Sequence, residues 1–490
     1  MNYSTKSSSG TVQAIEFLKS TLDKKYLRYL LKKFSSTCKK DGKNRIEIAL
    51  ELFTKERNSA CWTCSHIVYP VVKWAIRKGS TAFSVDEEKL FEKFSNVYWR
   101  RGLVNVLRGI ADFGVKKPFT PGAPFLVVWN FTQLCNLRCQ HCYASAGKPD
   151  PNELSTQEAL KALDKLVDAG VTIIAFSGGE PLMRKDFFEI LKKAGDYGVF
   201  TAIATNATLI TKDVAKKLKD SGLGYVQISL DGAKAETHDG FRGVPNAFEK
   251  TIQGIKNCVE QDIFVEVATT ATKINYKEIP AIIDLCETMN VDWWMMYNFV
   301  PTGRGRFISE NDLSPSEREE LLKILWEKLR SKPKLQVLST APQYARVALQ
   351  MEKKFAEETR EFIIPTHFYN PHLHGQLVEL SDFIGGCGAG RFYCALEPDG
   401  TITPCVFFPL KIGNIKTDDF EELWTKNQVF LDLRDRDKLK PHCGVCEYKY
   451  ICGGCRARAY GYFGDYLAPD PGCINNQKEW VKLTAEIKGQ

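Results

Sequence analysis

Short apolar segments alternate with amphipathic helical segments through the middle of the chain. The strand candidates are 125–131, 172–176, 199–204, 225–230, 264–270 and 292–299. The helix candidates between them are 155–168, 184–196, 211–221, 246–260 and 277–289. Strands that alternate with helices in this way predict an α/β fold with a parallel sheet and right-handed crossovers. Such a sheet is either open or curled into a partial (β/α)6 barrel.

The segments on either side of this core follow different patterns. Before it, apolar residues from Val12 to Leu22 recur at helical spacing, and a second helical stretch runs from Asp86 towards Ile110. Prolines between 118 and 124 then interrupt the helical pattern. After the core, residues 314–330 predict one more helix, and the rest is rich in Cys and Gly. We therefore expect an all-helical domain over 1–121, an α/β core over 122–305, a connector over 306–384 and a Cys-rich domain with a C-terminal helix over 385–490.

Net charge and hydropathy limit the partners and the cellular location that we expect for the protein. The net charge of +8 is mild for 490 residues, so it is compatible with anionic substrates and gives no reason to expect nucleic acid. No apolar run is long enough to span a bilayer, and residues 1–10 are polar. We expect a cytoplasmic protein. The basic amphipathic helix predicted at 11–34 packs within the helical domain or, alternatively, lies on a membrane surface.

Cysteine is the unusual component. Sixteen cysteines in an intracellular chain favour metal or redox chemistry over a disulfide framework. Cys135, Cys139 and Cys142 follow the first strand directly, at spacings of four and three residues. Three thiolates bind three irons of a cubane cluster and leave the fourth iron open to another ligand. A zinc site is the alternative, but it usually closes all four positions with protein ligands.

This loop resembles the CxxxCxxC loop of the radical S-adenosylmethionine (SAM) superfamily. Further motifs of that family occur in order at the ends of later strands, over about residues 122–305. They are Ser177-Gly178-Gly179-Glu180-Pro181, Thr205-Asn206, Ser229-Leu230-Asp231-Gly232 and Pro301-Thr302-Gly303-Arg304. The resemblance implies a TIM-type partial barrel whose [4Fe–4S] cluster binds SAM. An electron from the cluster then cleaves SAM to a 5′-deoxyadenosyl radical, which abstracts hydrogen from an unactivated C–H bond.

The resemblance also implies which residues contact SAM. Backbone of the glycine pair and the Glu180 carboxylate would meet the SAM ammonium, the motif after the fourth strand would meet the ribose and carboxylate, and His141 would lie near the adenine. The implied set is His141, Ser177, Gly178, Gly179, Glu180, Asn206, Ser229 and Asp231. No residue is assignable as a catalytic base or radical-quenching group.

Eight cysteines fall near the C-terminus, enough to ligate two four-iron clusters. They are Cys387, Cys394, Cys405, Cys443, Cys446, Cys452, Cys455 and Cys473. Two zinc ribbons built on the CxxC pairs at 443–446 and 452–455 are the alternative. The array resembles the SPASM domain, the auxiliary-cluster domain of peptide- and sulfatase-modifying radical SAM enzymes.

By analogy with the sulfatase-maturing branch, the resemblance implies a ligand partition. Cys387, Cys394, Cys405 and Cys455 would hold a nearer auxiliary cluster, and Cys443, Cys446, Cys452 and Cys473 an outer one. Sulfatase maturation itself is not expected, because Val406 stands where that branch has an acidic base. Fully ligated clusters are expected to carry electrons.

The remaining candidate ligands admit plainer interpretations. Cys38, Cys61 and Cys64, with His66 as a possible fourth ligand, form a zinc or iron site or are free thiols. Cys258 and Cys286 lie on predicted helices and are expected in the core. Three histidines of the connector favour an exposed polar loop over a metal or proton-transfer site. They are His367, His372 and His374.

We therefore expect a radical SAM enzyme supplied with electrons by a donor such as ferredoxin or flavodoxin. A peptide or protein side chain is the favoured substrate, since SPASM enzymes most often act there. The alternatives are C–H functionalisation or C–C joining of an archaeal-type membrane lipid, and modification of a tetrapyrrole or cofactor. A non-catalytic, metal-stabilised binding module is the alternative of a different class.

Overall fold

The computed structural model describes residues 24–83, 86–331, 334–359 and 383–488. Its first part is helical, as predicted. The helices are α1 (Lys25–Phe34), α2 (Arg45–Phe53), α3 (Tyr69–Phe83), α4 (Glu87–Ser95) and α5 (Val97–Phe113). A π-helical turn, Cys64–Val68, leads into α3. Of the amphipathic helix predicted at 11–34, residues 11–23 lie outside the described residues. No helix in the described ranges is long and apolar enough to cross a membrane.

The helical part has its own small core and is joined to the sheet through α5. Ile46 and Leu50 of α2 pack against Val68, Val72 and Val104. On α5, the buried side chain of Asn105 makes two hydrogen bonds with the backbone of Ala123.

A ten-stranded sheet forms the centre of the molecule. Its strands are β1 (Leu126–Thr132), β2 (Ile173–Gly178), β3 (Phe200–Thr205), β4 (Tyr225–Ser229), β5 (Phe264–Ala271), β6 (Trp293–Asn298), β7 (Gln336–Ser339), β8 (Tyr393–Leu396), β9 (Thr401–Thr403) and β10 (Gly413–Asn414). Their spatial order is β10-β9-β8-β1-β2-β3-β4-β5-β6-β7. The strands from β8 to β7 in this order pair in parallel, and the β9 and β10 pairings are antiparallel. The mostly parallel sheet, whose two edge strands do not pair with each other, agrees with the predicted partial barrel.

Helices connect the strands and flank them. They are α6 (Thr156–Ala169), α7 (Phe187–Asp196), α8 (Lys212–Asp220), α9 (Ala235–Arg242), α10 (Ala247–Glu260), α11 (Ile279–Thr288), α12 (Pro315–Ser331), α13 (Gln343–Thr359), α14 (Phe420–Lys426), α15 (Gln428–Arg434), α16 (Arg456–Phe463) and α17 (Gln477–Lys488). Local sequence explains their ends. Ser155 and Glu158 form a capping box at the start of α6, and Gly170 ends that helix in a left-handed conformation.

Two strands that the apolar pattern did not predict extend the parallel sheet from six strands to eight. β7 adds to the edge at β6, and β8 pairs with β1 in register, Leu126 opposite Tyr393. Since β8 belongs to the Cys-rich segment, that segment is continuous with the sheet. It therefore draws stability from the main core, into which Leu396 and Ile402 are packed.

Candidate cofactor sites at the strand ends

A cavity of about 130 Å³ opens at the carboxyl ends of the parallel strands. The loop that follows β1 forms one wall, and the ends of β2 to β6 form the rest, as expected for a sheet of this type. The expected residues that line it are Cys135, Cys139, His141, Cys142, Ser177, Gly178, Gly179, Asn206 and Ser229. The structure therefore brings together residues that the sequence scatters over almost a hundred positions.

Backbone contacts hold the three-cysteine loop in place. The Arg304 side chain donates from Nε to the Cys139 carbonyl at 2.9 Å and from Nη1 to the Ala146 carbonyl at 2.6 Å. The Arg304 amide also donates to the Cys142 carbonyl at 2.9 Å. The motif at 301–304 therefore holds the three-cysteine loop in place through the hydrogen bonds of Arg304.

Glycines allow the strand ends to approach that loop. Gly178 has φ +112°, and a Cβ there would lie 2.5 Å from the Thr132 carbonyl oxygen. Gly303 has φ +55°, and a Cβ there would lie 2.2 Å from the Tyr143 carbonyl oxygen. Both positions require a residue without a side chain, because their conformation and spacing exclude one.

The surroundings of the three thiols fit an iron–sulfur cluster. Cys135 Sγ accepts from the Leu137 amide and Cys142 Sγ from the Ala146 amide, each at 3.4 Å. Arg242 Nη1 lies 3.6 Å from Cys139 Sγ. Each sulfur therefore has a donor, an arrangement that stabilises thiolate ligands and the negative charge of a cluster.

His141 has a neutral, stacked imidazole. Its ring lies 4.1 Å from that of Phe241 at an interplanar angle of 14°. Burial, reinforced by the charges of Arg242 and Arg304, holds the pKa of His141 well below its usual range. The side chain therefore offers a flat uncharged face to the cavity, as contact with an adenine ring would require.

The carboxylates of Glu180 and Asp231 point into the protein. Glu180 is fully buried, and its oxygens accept from the Thr205 hydroxyl and the Asn206 amide. Burial raises the pKa of Glu180 to about 7. Asp231 is also fully buried and forms an ion pair of 2.5 Å with Arg242. The structure does not bring these two carboxylates to the cavity surface, so they position their loops.

Several lining residues were missed in the sequence. Gln227 lies two residues before Ser229 on β4, so strand alternation from that expected site residue could have indicated it. Tyr297 lies on β6, where the sequence offered no such reference residue. Tyr143 and Phe407 form an edge-to-face pair with centroids 4.9 Å apart. Phe407 comes from the Cys-rich domain, and no local pattern places it in this cavity.

Three cysteines gather behind Phe407. Cys387 and Cys405 pack in one small core with Cys455 at its edge. The hydroxyl of Tyr393 donates to Cys405 Sγ at 3.1 Å. Burial raises the pKa of Tyr393, and the nearby cysteine sulfurs raise it further. These three residues match three of the four expected ligands of the nearer auxiliary cluster.

The fourth expected ligand, Cys394, is not with them. It follows Tyr393 on β8, so its side chain points to the opposite face of the strand. There it is fully buried in the main core among Leu396, Ile402 and Phe430. Strand alternation thus separates Cys394 from the group that its spacing had suggested.

The four expected ligands of the outer cluster line one pocket. They are Cys443, Cys446, Cys452 and Cys473. Two of the sulfurs accept from the backbone amides of Gly454 and Asp470, each at 3.4 Å. The carboxylate of Asp470 accepts from the Cys455 amide at 2.7 Å and so connects the outer group to the nearer one.

Buried arginines surround both C-terminal cysteine groups. Arg391 and Arg436 are fully enclosed, and Nε of Arg391 and both Nε and Nη1 of Arg436 have no hydrogen-bond partner. Burial lowers the pKa of Arg436, and the negative charges of Cys387, Cys452 and Cys443 offset part of that lowering. Unpaired buried cations are costly, so they fit a site that holds negatively charged clusters.

The other cysteines and histidines considered in the sequence lie away from these sites or outside the described residues. Cys258 and Cys286 lie on α10 and α11 and are fully buried in the main core, as predicted. His367, His372 and His374 lie outside the described residues.

Comparison with known proteins identifies two families along the chain. The Radical SAM superfamily model matches residues 129–286, and the SPASM iron–sulfur cluster-binding domain matches residues 387–447. An AdoMet-dependent heme synthase of Methanosarcina barkeri is 39% identical over 354 residues, which are 72% of this chain and 97% of that protein. Fe-coproporphyrin III synthase of the same organism is 35% identical, over 72% of this chain and 88% of its own length.

Two less similar proteins also match this chain. Mycofactocin maturase MftC of Mycobacterium tuberculosis is 29% identical over 73% of this chain and 84% of its own length. Among solved structures, Streptococcus suis SuiB bound to S-adenosylmethionine superposes with a TM-score of 0.59 at 16% identity, over 87% of this chain and 92% of its own. At that identity the likeness concerns the fold.

Proposed function

This chain belongs to the radical SAM superfamily and carries its SPASM domain, and on that premise we propose that it modifies a side chain of an iron porphyrin. It is an enzyme whose cofactors are SAM, a [4Fe–4S] cluster and auxiliary iron–sulfur clusters. The observation that carries the substrate proposal is the match to a heme synthase over 97% of that relative's length. A Fe-coproporphyrin III synthase and a pre-heme d1 synthase are also among the relatives.

The site residues divide into ligands and supports. Cys135, Cys139 and Cys142 would hold the cluster, and the His141 ring would lie against the adenine of SAM. When bound, the cluster supplies the electron that cleaves SAM to the 5′-deoxyadenosyl radical, which abstracts hydrogen from carbon. Arg304 fixes the loop that carries the cysteines, and Arg242 donates to Cys139 Sγ.

The composition of the cavity wall supports a flat, conjugated substrate. Tyr143, Tyr297 and Phe407 lie side by side there, with Phe407 centroids 4.9 Å and 6.3 Å from the two tyrosines. Aromatic rings pack well against a porphyrin. Gln227 and Ser177 also line this wall, so the lining is not the continuous apolar surface that a lipid acyl chain would favour.

The clusters behind Phe407 would take the electron that a substrate radical gives up. Cys405 lies two residues from Phe407, so the nearer cysteine group adjoins the cavity and the outer group lies beyond it. A reductant such as ferredoxin or flavodoxin would supply the electron for SAM cleavage.

A peptide side chain is the second candidate substrate. The relationship to MftC, which is named as a maturase, favours it. SuiB, which shares the fold, has also been solved bound to a precursor peptide. Porphyrin synthases are the more similar relatives, which is why the porphyrin is preferred.

The test is an anaerobic assay of the reconstituted, reduced enzyme with SAM and iron coproporphyrin III. We expect 5′-deoxyadenosine to form faster with the porphyrin than without it, and the mass of the porphyrin to change. Cys139→Ala should abolish both results, because the SAM cluster would lose a ligand. Porphyrin recovered unaltered while SAM is cleaved would contradict the proposed substrate and leave the superfamily chemistry intact.

A further inference from the structure

A second kind of metal site lies in the N-terminal helices, far along the chain from the cofactor loops. Cys38, Asp41, Cys61 and Cys64 place one ligand atom each within 4.8 Å of all the others. Among the described residues, this group of Cys, His, Asp or Glu side chains meets that distance limit. We propose that these four residues bind a single zinc ion that stabilises the helical domain, independently of the proposed function.

The spacing of the ligand atoms favours a mononuclear ion. Cys38 Sγ lies 3.5 Å from Cys61 Sγ and 3.2 Å from an Asp41 carboxylate oxygen. Thiolates around one tetrahedral zinc lie about 3.8 Å apart, because Zn–S bonds are ~2.3 Å long. Thiolates of a cubane cluster each bind a different iron and are therefore more widely separated. An S–S bond requires ~2.05 Å, so the two thiols are not bonded to each other.

The backbone presents the ligands from two short turns. Cys38 and Asp41 lie on a turn closed by hydrogen bonds from the Cys38 amide to the Lys43 carbonyl and from the Gly42 amide to the Cys38 carbonyl. Cys61 and Cys64 flank the start of the π-helical turn before α3. Both pairs enclose two residues, the spacing of zinc-binding CxxC units, with aspartate in place of one cysteine.

Neighbouring groups orient the Asp41 carboxylate. The Cys61 amide donates to it at 3.2 Å, and Arg57 Nη1 lies 3.4 Å from Oδ1. Hydrogen-bonded carboxylates of this kind are typical of metal ligands. The guanidinium also offsets part of the negative charge that three thiolates and a carboxylate retain around Zn²⁺.

The surroundings fit a closed, structural site. Cys38 and Cys64 are buried, and Ile48 and Leu52 pack against the group. His66, the fourth ligand considered in the sequence, is exposed and contacts Trp62 instead, stacking at 5.5 Å. With four protein ligands and no open position, zinc is the expected ion, and its role would be to fasten the α1–α2 turn to the start of α3.

The test measures metals in the full chain, purified anaerobically and reconstituted with iron. We expect about one zinc per chain, lost on the double substitution Cys61→Ser and Cys64→Ser with iron content unchanged. Asp41→Cys should retain the zinc, and Asp41→Ala should lower its occupancy. Cys258→Ser is the matched control, since that buried thiol lies in the main core and should leave zinc unaffected.

Cobalt provides a second measurement that does not depend on the folding of a variant. Wild-type protein stripped by a chelator and given Co²⁺ should show the visible absorption of tetrahedral cobalt thiolate, and added Zn²⁺ should abolish it. Zinc that persists in the double variant, iron found in place of zinc, or a Cys38–Cys61 disulfide would each overturn the proposal.

Discussion

The direction of the Cys394 side chain determines how many cysteines the nearer auxiliary site contains. Cys394 faces the main core, whereas Cys387, Cys405 and Cys455 face one another. We predict that Cys394→Ala leaves the iron content unchanged, because no cluster ligand is lost, although the thermal midpoint falls slightly. Cys405→Ala, the matched substitution, should lower the iron content by about one cluster. Metal analysis of both reconstituted variants makes the comparison, and equal iron losses would contradict it.

Spacing alone could not have made this distinction. The sequence predicted which cysteines belong to the C-terminal array, but Cys394 and Tyr393 differ by a single position on β8. Adjacent residues of a strand face opposite sides, and the strand itself is recognisable only through its pairing with β1. The outer group required no such pairing, since its cysteines lie on loops that converge on one pocket.

Glu266 makes a pH-dependent contribution to stability. It is enclosed on β5, with Gln227 Nε2 donating to Oε1 at 2.5 Å, and burial raises its pKa from 4.5 to about 7. The folded state therefore holds a proton that the unfolded state has lost between these values, and stability falls as pH rises through that window. At ~1.4 kcal/mol per pKa unit, the loss is at most about 3.5 kcal/mol.

We predict that Glu266→Gln removes this loss, because glutamine does not titrate and its carbonyl can still accept from Gln227. The thermal midpoint of the variant, relative to the wild type, should be higher at pH 8 than at pH 5.5. Glu249→Gln on the exposed face of α10 is the control and should show no such dependence. A parallel pair of pH profiles for Glu266→Gln and the wild type would refute the prediction.

At the scale of elements, the length of a strand and the distance along the chain to its pairing partner decide whether the sequence predicts it. The six strands β1 to β6 were predicted to within two residues at each end, because each is an apolar run between turns or helices. β7 and β8 have four residues each and were missed. Such short strands have no internal periodicity, and β8 is formed by pairing with a strand more than 250 residues earlier.

The junction between α5 and the sheet includes a buried asparagine, alongside the hydrogen bond from Arg108 to the Ala169 carbonyl. Asn105 is buried, and it donates to the Ala123 carbonyl at 2.9 Å and accepts from the Ala123 amide at 2.7 Å. Asn105→Ala would leave both backbone groups buried without partners, at a cost of about 3 kcal/mol. We predict a clear fall in the thermal midpoint. Asn96→Ala, which removes an exposed N-cap of the same helix, should cost only ~1 kcal/mol.

Across the whole molecule, the sites follow one another from the cavity outwards. The three-cysteine loop lines the cavity, Phe407 separates the cavity from Cys405, and Asp470 joins the nearer cysteine group to the outer one. Under the proposed function, this order would give the metal sites separate tasks. SAM cleavage would depend on the loop, and electron removal from the substrate would depend on the C-terminal groups.

We predict that replacing Cys443 and Cys473 together by serine separates these tasks. Both line the outer pocket, so iron content should fall by about one four-iron cluster. The cavity and its cysteine loop lie apart from that pocket, so 5′-deoxyadenosine should still form while substrate conversion drops at least tenfold. The measurements are iron content, 5′-deoxyadenosine and product from the same reaction. Unchanged iron would contradict the ligand assignment, whereas a proportional loss of 5′-deoxyadenosine and product would show that the outer site also supplies the SAM cluster.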